Sequence, residues 1–117
     1  LGARLILKVL ITAYCLCNLC THFKHGITFS GQKVEENLTA ACGPDLYGKV
    51  IHVEGFGVFF CEDTGSKVGL KHVDIYMKEH TQALKVFTRR TVTILGDWRN
   101  GTVGDRKATQ KDSHPRR

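Results

Sequence analysis

The sequence predicts a mainly β domain, a small closed β-barrel with one short helix. Short runs of β-branched and aliphatic residues recur along the chain, turns with glycine or proline separate them, and helical spacing occurs in one place. Many short strands with a single late helix are typical of a small barrel. The 117 residues, 42% of them hydrophobic, suffice for one domain with a single core.

The first half of the chain contains two predicted strands and a long connection. Residues 5–14 are aliphatic and β-branched with few polar interruptions, which predicts a long strand. Residues 15–25 are polar and rich in cysteine, as in a loop, and residues 26–31 form a short extended piece between two glycines. Residues 38–42 are the second apolar strand, and Gly43-Pro44-Asp45 predicts a turn after it.

The second half begins with a predicted β-hairpin. Residues 49–54 alternate in strand fashion, and the tight connection Gly55-Phe56-Gly57 leads to an apolar strand at residues 58–62. A further strand-like segment, Val73-Asp74-Ile75-Tyr76, follows a connection that contains glycine.

The only helical pattern lies between Glu79 and Arg89. Leu84 and Phe87 follow Thr81 and Ala83 at helical spacing, and the acidic start and basic end agree with the helix dipole. The segment 91–95 is the final predicted strand.

The C-terminal segment predicts a disordered basic tail. From Asp97 onward the chain carries six basic and three acidic residues and few aliphatic ones. We therefore expect a barrel domain at residues 1–96 and a tail at residues 97–117.

The net charge of +6 is divided between this tail and a mildly basic body, which does not favour a nucleic-acid partner. A mild positive charge suits an acidic polymer such as cell-wall glycan. No segment approaches the ~20 apolar residues of a membrane span. The chain begins with Leu1 and not with methionine, so we expect a leader to be missing from it.

Two aspartates eleven residues apart are the candidate catalytic groups. Asp74 lies between Val73 and Ile75, and in a strand it points away from these apolar neighbours. If that face lines a cleft, burial can raise the pKa of the Asp74 carboxyl group, as a general acid needs. Asp63 lies where a strand gives way to Thr64-Gly65, and the local alternative for it is an Asx turn.

The order and spacing of the motifs from about residue 7 to residue 95 resemble a known family, the 3D (three-aspartate) domain of bacterial cell-wall proteins. This family includes the stationary-phase survival muralytic enzymes and is similar to the catalytic barrel of MltA-type lytic transglycosylases. The motifs that carry the resemblance are Thr12-Ala13-Tyr14-Cys15-x-Cys17-x-x-Cys20, Gly26-Ile27-Thr28-x-Ser30-Gly31-x-Lys33, Thr39-Ala40-Ala41, Val53-Glu54-Gly55-Phe56-Gly57, Glu62-Asp63-Thr64-Gly65, Val73-Asp74-Ile75-Tyr76 and Ala83-Leu84-x-x-Phe87-x-x-Arg90-x-Val92-x-Ile94-Leu95.

The resemblance implies a six-stranded double-psi β-barrel outside the cytoplasm, in the cell wall or envelope. Its implied partner is the peptidoglycan glycan strand, which it would cleave between N-acetylmuramic acid and N-acetylglucosamine to a 1,6-anhydro product without a cofactor. Asp74 matches the acid/base of the family, and Asp63 matches a supporting aspartate. The residues that would contact the sugar through hydroxyl groups are Thr12, Thr28, Ser30 and Thr64.

One position departs from the family pattern. The first aspartate of the family follows an Ala-Ala pair, whereas Cys42 follows Ala40-Ala41 here. Asp45 is the candidate for a shifted third carboxylate. The alternative function is therefore a catalytically silent barrel that binds cell-wall glycan or has a structural role.

The five cysteines leave several interpretations open. Cys15, Cys17 and Cys20 with His22 could supply four zinc ligands. A disulfide in an exported protein, or unpaired thiols, are the alternatives. Cys42 and Cys61 are a second candidate pair, although sequence does not set connectivity.

Two histidines, His52 and His72, alternate with apolar residues, and we expect them to be structural or exposed rather than catalytic. The sequence does not set the oligomeric state.

Overall fold

The described part of the chain forms a closed β-barrel of six strands with one short helix, as predicted. A computed structural model describes residues 5–16 and 26–98. The strands are β1 (Ile6–Tyr14), β2 (Thr39–Cys42), β3 (Lys49–Val53), β4 (Gly57–Asp63), β5 (His72–Tyr76) and β6 (Phe87–Asp97), and the helix is α1 (His80–Ala83).

The strands close in the order β1-β5-β2-β4-β3-β6. The pairs β1/β5 and β2/β4 are parallel, and the other four pairs are antiparallel. Each strand therefore pairs on both sides, and none presents an open edge for aggregation.

The inside of the barrel is the main hydrophobic core. Side chains of alternate residues fill it, such as Val9 and Ile11 of β1 and Val73 and Ile75 of β5. Because strand side chains alternate between the two faces, the polar residues between them, such as Thr12, lie on the outer face. The candidate site is consequently built on the outside of the barrel.

A second apolar cluster covers part of the outer face. It is formed by Leu38, Val50, Val58 and Phe60, with Leu95 and Trp98 packed against them. The Trp98 indole N–H donates to the Cys61 carbonyl at 3.1 Å. Asp97 ends β6 and lies 3.5 Å from the Lys49 ammonium. The first two residues of the predicted tail thus belong to the barrel, and residues 99–117 lie outside the described part.

The short helix lies within the segment between Glu79 and Arg89 where helical spacing predicted it, but the predicted start of the final strand is wrong. The helix is only four residues long, Leu84 is 69% exposed, and β6 begins at Phe87, well before the predicted start at residue 91. The reason is barrel closure, since β6 must be long enough to pair with both β1 and β3. Such pairing overrides a local helical preference over so short a segment.

The piece at residues 26–31, predicted to be extended, is a tight turn. Ile27 and Lys33 pair across it as an isolated antiparallel bridge, and the Thr28 N–H donates to the Gln32 carbonyl at 2.7 Å. Gly31 has a φ of 89°, a region that favours glycine, so the chain reverses there.

Cys42 and Cys61 form a disulfide between the neighbouring strands β2 and β4, with their Cα atoms 5.4 Å apart. Both residues belong to the buried core. Among residues 5–16 and 26–98, no helix has the length and apolar character to cross a bilayer.

We expect reduction of this disulfide to destabilise the barrel. It closes a loop with a sequence separation of 19, and a loop of that size contributes about 3 kcal/mol to the free energy of unfolding. Urea unfolding of the oxidised and reduced protein measures the loss. The control is the double variant Cys42→Ala/Cys61→Ala, and equal sensitivity of parent and variant to the reductant would contradict the prediction.

Candidate active site

Three neighbouring strands bring the two candidate aspartates to the same row. Ala41 of β2 is the register partner of Asp74 in β5 on one side and of Asp63 in β4 on the other. Two strand spacings of ~4.8 Å place the aspartate backbones about 10 Å apart. On the far side of Asp74, Thr12 of β1 is its register partner. We call Thr12, Asp74, Ala41 and Asp63 the carboxylate row.

A β-bulge in β4 places Asp63 in this row. Ala40 pairs with Cys61, but the next residue, Ala41, pairs with Asp63, so Glu62 is an extra residue in the strand. Without the bulge, Asp63 would face inward like Cys61, two residues earlier, because strand side chains alternate. The bulge turns Asp63 to the outer face.

The extra residue Glu62 is itself buried. Its carboxylate accepts a hydrogen bond from the Thr39 hydroxyl at 2.7 Å, and that hydroxyl also accepts from the Glu35 N–H at 2.9 Å. Because a buried carboxyl group needs hydrogen-bond partners, these contacts help to hold the bulge in place.

Hydrogen bonds fix both oxygens of Asp63. The Tyr14 hydroxyl donates to Oδ2 at 3.0 Å, while the backbone N–H groups of Phe29 and Thr64 donate to Oδ1 at 2.9 Å each. The bond from Thr64 comes from the next residue, whereas the Asx turn expected from the sequence uses the N–H two residues on. The other two bonds connect Asp63 to β1 and to the 26–33 turn.

Asp74 has a different environment. Val73 and Ile75 beside it are buried in the core, and the Asp74 side chain lies on the outer face as predicted. Its Oδ1 accepts a hydrogen bond from the Thr12 hydroxyl at 2.8 Å. Burial raises the pKa of Asp74, an effect that the Thr12 bond and the nearby His72 reduce and that Asp63 reinforces. Asp74 therefore keeps its proton to a higher pH than an ordinary aspartate, as a general acid requires.

Tyr14 is the neutral donor between the carboxylates. Burial is the largest cause that raises the pKa of its hydroxyl. The charge of Asp63, the hydrogen bond to Asp63, and the charges of Asp74 and Glu62 raise this pKa further, in decreasing order. The phenol therefore stays protonated and can only donate to Asp63. Its ring lies 5.6 Å from that of Tyr76.

The predicted hydroxyl groups have separate surroundings. Thr12 contacts Asp74 directly, whereas the buried Thr28 hydroxyl lies 2.8 Å from that of Ser30 and accepts from the Gln32 N–H. Ser30 also ties the turn to β4, through its N–H and the Glu62 carbonyl at 3.2 Å. Thr64 is exposed beside Asp63.

Cys42, the position at which the sequence resemblance predicts an aspartate, lies inside the barrel. Cys42 points inward in its disulfide, and the residue between the two aspartates on the outer face is Ala41. Asp45 is exposed, and its carboxylate accepts a hydrogen bond from the Lys71 N–H at 3.1 Å, just before β5 begins. Asp45 therefore caps the start of β5, outside the register of the row.

His72, for which the sequence predicted a structural or exposed position, lies beside the candidate acid. Its Nε2 lies 2.8 Å from the Thr12 hydroxyl oxygen. The signal was present in the sequence, because His72 precedes Asp74 by two residues and so shares its face of the strand. Tyr14 follows Thr12 by two residues in the same way. The other histidine, His52, is exposed as expected.

Two exposed aromatic side chains flank the carboxylate row. Phe87 of β6 is the register partner of Thr12 at one end, and the Phe29 backbone contacts Asp63 at the other. They are the most exposed large hydrophobic residues in the described chain, at 77% and 73%. Tyr47 meets the Phe29 ring edge-on, with centroids 5.6 Å apart.

A cavity of about 580 Å³ lies at the end of β5 that follows Asp74, and no residue of the carboxylate row lines it. Tyr76, two residues after Asp74 on the same face of β5, forms part of its wall. Charged residues of both signs line it, namely Lys33, Glu35, Glu36 and Lys78.

Of the four candidate zinc ligands, Cys15 is among the described residues. Cys17, Cys20 and His22 lie outside them. Cys15 is buried at the end of β1, and its sulfur lies 3.3 Å from the His80 Nδ1. No group of three or more potential metal ligands occurs within residues 5–16 and 26–98.

Comparison with known proteins assigns no family. No protein-family model matches the sequence, and no curated protein matches it significantly.

We expect Asp74→Asn to stabilise the protein at neutral pH. Since the folded state raises the pKa of Asp74, the stability that its protonated form contributes is full below the unfolded pKa and is lost as the pH rises through the folded pKa. Asparagine stays neutral, so the variant and the parent should be equally stable in acid. Towards neutral pH the free energy of unfolding of the variant should increasingly exceed that of the parent, by about 1.4 kcal/mol for each unit by which the pKa is raised. Urea unfolding at a series of pH values measures it, and an advantage independent of pH would contradict the assignment.

Proposed function

We propose that this protein is a lytic transglycosylase-like enzyme that cleaves the glycan strand of peptidoglycan between N-acetylmuramic acid and N-acetylglucosamine. The observation that carries the proposal is the environment of Asp74, a half-buried carboxyl group with a raised pKa on the outer face of the barrel. A carboxyl group with a raised pKa keeps its proton to a higher pH, so it can give a proton and later take one back.

One carboxyl group suffices for this reaction. Protonated Asp74 donates its proton to the glycosidic oxygen as the bond to the muramic acid anomeric carbon breaks. The resulting carboxylate then takes the proton of the 6-hydroxyl of the same sugar, whose oxygen bonds to that carbon and closes the 1,6-anhydro ring. Asp74 is protonated again at the end, and water is not consumed, unlike in two-carboxylate hydrolases.

Asp63 fits the supporting role. Positive charge develops at the anomeric carbon as the bond breaks, and a fixed negative group nearby stabilises it. Three hydrogen bonds hold the Asp63 carboxylate, so it needs no rearrangement during the reaction.

The surroundings of the row support a glycan as the substrate. Aromatic faces such as those of Phe29 and Phe87 offer apolar platforms for sugar rings, and they flank the carboxylates at both ends. The neighbouring cavity, with lysine and glutamate in its wall, suits the charged groups of a peptide stem on the sugar.

The double-psi topology of the barrel and a location outside the cytoplasm are part of the same proposal. The strand order, with two parallel pairs among antiparallel ones, supports a double-psi barrel. The disulfide between Cys42 and Cys61 supports an oxidising location outside the cytoplasm, such as the cell wall.

The second candidate is a barrel that binds cell-wall glycan without cleaving it. It is favoured by Cys42, which stands where the resemblance predicts the first aspartate and is bonded to Cys61 inside the barrel. The same flanking aromatic residues would serve this function, so catalysis has to be tested separately from binding.

We expect the protein to release anhydro-muropeptides from purified peptidoglycan and Asp74→Asn to lower the rate at least about 100-fold, because the acid and the base are lost together. Mass spectrometry of the soluble products measures the release, and circular dichroism checks the fold. Full activity of the variant would rule out Asp74 as the acid/base. If the parent protein sediments with peptidoglycan but releases nothing, the binding function is the correct one.

We expect Phe87→Ala to weaken sedimentation with peptidoglycan about fivefold, the effect of losing roughly 1 kcal/mol of apolar contact. The matched control is Ile6→Ala, which removes an exposed side chain about 20 Å away along β1. Equal binding by both variants would exclude Phe87 from the glycan surface.

A further inference from the structure

The Thr12 hydroxyl lies between two groups that can each hold a proton. Its oxygen is 2.8 Å from Asp74 Oδ1 and 2.8 Å from His72 Nε2. We propose that Asp74 and His72 share one proton through the Thr12 hydroxyl, which makes His72 a positioning residue for the candidate acid.

The argument depends on the single hydrogen atom of a hydroxyl group. Thr12 can donate to Asp74 or to His72 but not to both, and its oxygen accepts from the other neighbour. The direction of one hydrogen bond therefore determines the direction of the other. Both contacts are short enough for well-formed hydrogen bonds in a partly buried site.

Two arrangements satisfy both distances with the same number of protons. In the neutral arrangement, the Asp74 carboxyl donates to the Thr12 oxygen, and the Thr12 hydroxyl donates to a bare His72 Nε2. In the charged arrangement, Thr12 donates to the Asp74 carboxylate, and a protonated His72 Nε2 donates to Thr12. The first becomes the second when one proton passes from Asp74 to Thr12 while another passes from Thr12 to His72, with no other bond changed.

The neighbouring strands determine which charges act on this pair. Across β2, which contributes the uncharged Ala41, β4 supplies Asp63, whose charge favours protonated Asp74. On β1 the nearby titratable group is Tyr14. On β6 the exposed Arg89 pairs with Leu10, the register partner of His72, and Lys71 directly precedes His72 on β5.

The shared proton gives His72 a role in the reaction, and this part rests on the proposed function. The neutral arrangement keeps Asp74 in the acid form needed to protonate the glycosidic oxygen. In that arrangement the proton lies on Oδ1, and once it has passed from Oδ1 to the glycosidic oxygen, Thr12 can turn its hydroxyl towards Oδ1 and stabilise the carboxylate. His72 and Thr12 thereby adapt to both protonation states of the acid.

The proton sharing can be tested without any substrate. Titration of the Asp74 carboxyl carbon by ¹³C NMR in the full chain gives its protonated fraction at each pH. We expect His72→Gln to raise this fraction several-fold at pH values well above the midpoint of the parent's titration, where the parent's fraction is small, because the cationic partner is lost. Thr12→Ser, which keeps the hydroxyl, should leave the titration unchanged, and His52→Gln is the matched control for a distant, exposed histidine.

The variant Thr12→Val removes the hydroxyl, so it distinguishes proton sharing through that hydroxyl from a direct electrostatic effect of His72 on Asp74. In this background we expect His72→Gln to have a much smaller effect on Asp74 than in the parent. An undiminished effect would mean that charge alone connects the two groups, and no effect of His72→Gln in the parent would exclude coupling altogether. If Thr12→Val does not fold, the comparison of Thr12→Ser with His72→Gln still decides between coupling and none.

These outcomes are independent of the enzyme assay. If the titrations are coupled but the protein releases no muropeptides, proton sharing between Asp74 and His72 is supported and only the proposed function is overturned. If the enzyme is active but the titrations are not coupled, the proposal of proton sharing is overturned and Asp74 remains the acid/base.

Discussion

Closure of six short strands into a barrel is the constraint on which the rest of the structure depends. A barrel this small has room inside only for its own side chains, and here they are almost entirely apolar. Polar chemistry is consequently confined to the outer face, where alternation along β1 and β5 places Thr12 and Asp74 side by side. The rigid sheet fixes their backbones, so the hydrogen bond between them needs little further ordering.

Two carboxyl groups in one row acquire different properties from their surroundings. Asp63 is held by Tyr14 and by backbone N–H groups, whereas Asp74 receives one hydroxyl and is set among buried neighbours that raise its pKa. Separating the behaviour of two similar groups in this way is how a fold assigns one to proton transfer and the other to electrostatic support. The division arises from strand position, since both residues are chemically the same.

Most of the strands were predictable because their signals are local. Apolar alternation around Asp74 and the glycine turn between β3 and β4 gave the correct elements. The β4 bulge was not predictable, because it depends on how β2 pairs with β4 across the barrel. The start of β6 at Phe87 was missed for the same reason, and the contact between His72 and Thr12 joins residues 60 positions apart in sequence.

The disulfide has a consequence for strand sliding. Cys42 and Cys61 join the same two strands whose pairing contains the bulge, and Cys61 directly precedes the extra residue Glu62. A slip of β4 by one residue would carry Asp63 to the wrong face, and a covalent link beside the bulge resists any such slip. The disulfide thus fixes the register of β2 and β4, and it keeps Asp63 on the outer face during local fluctuations of the barrel.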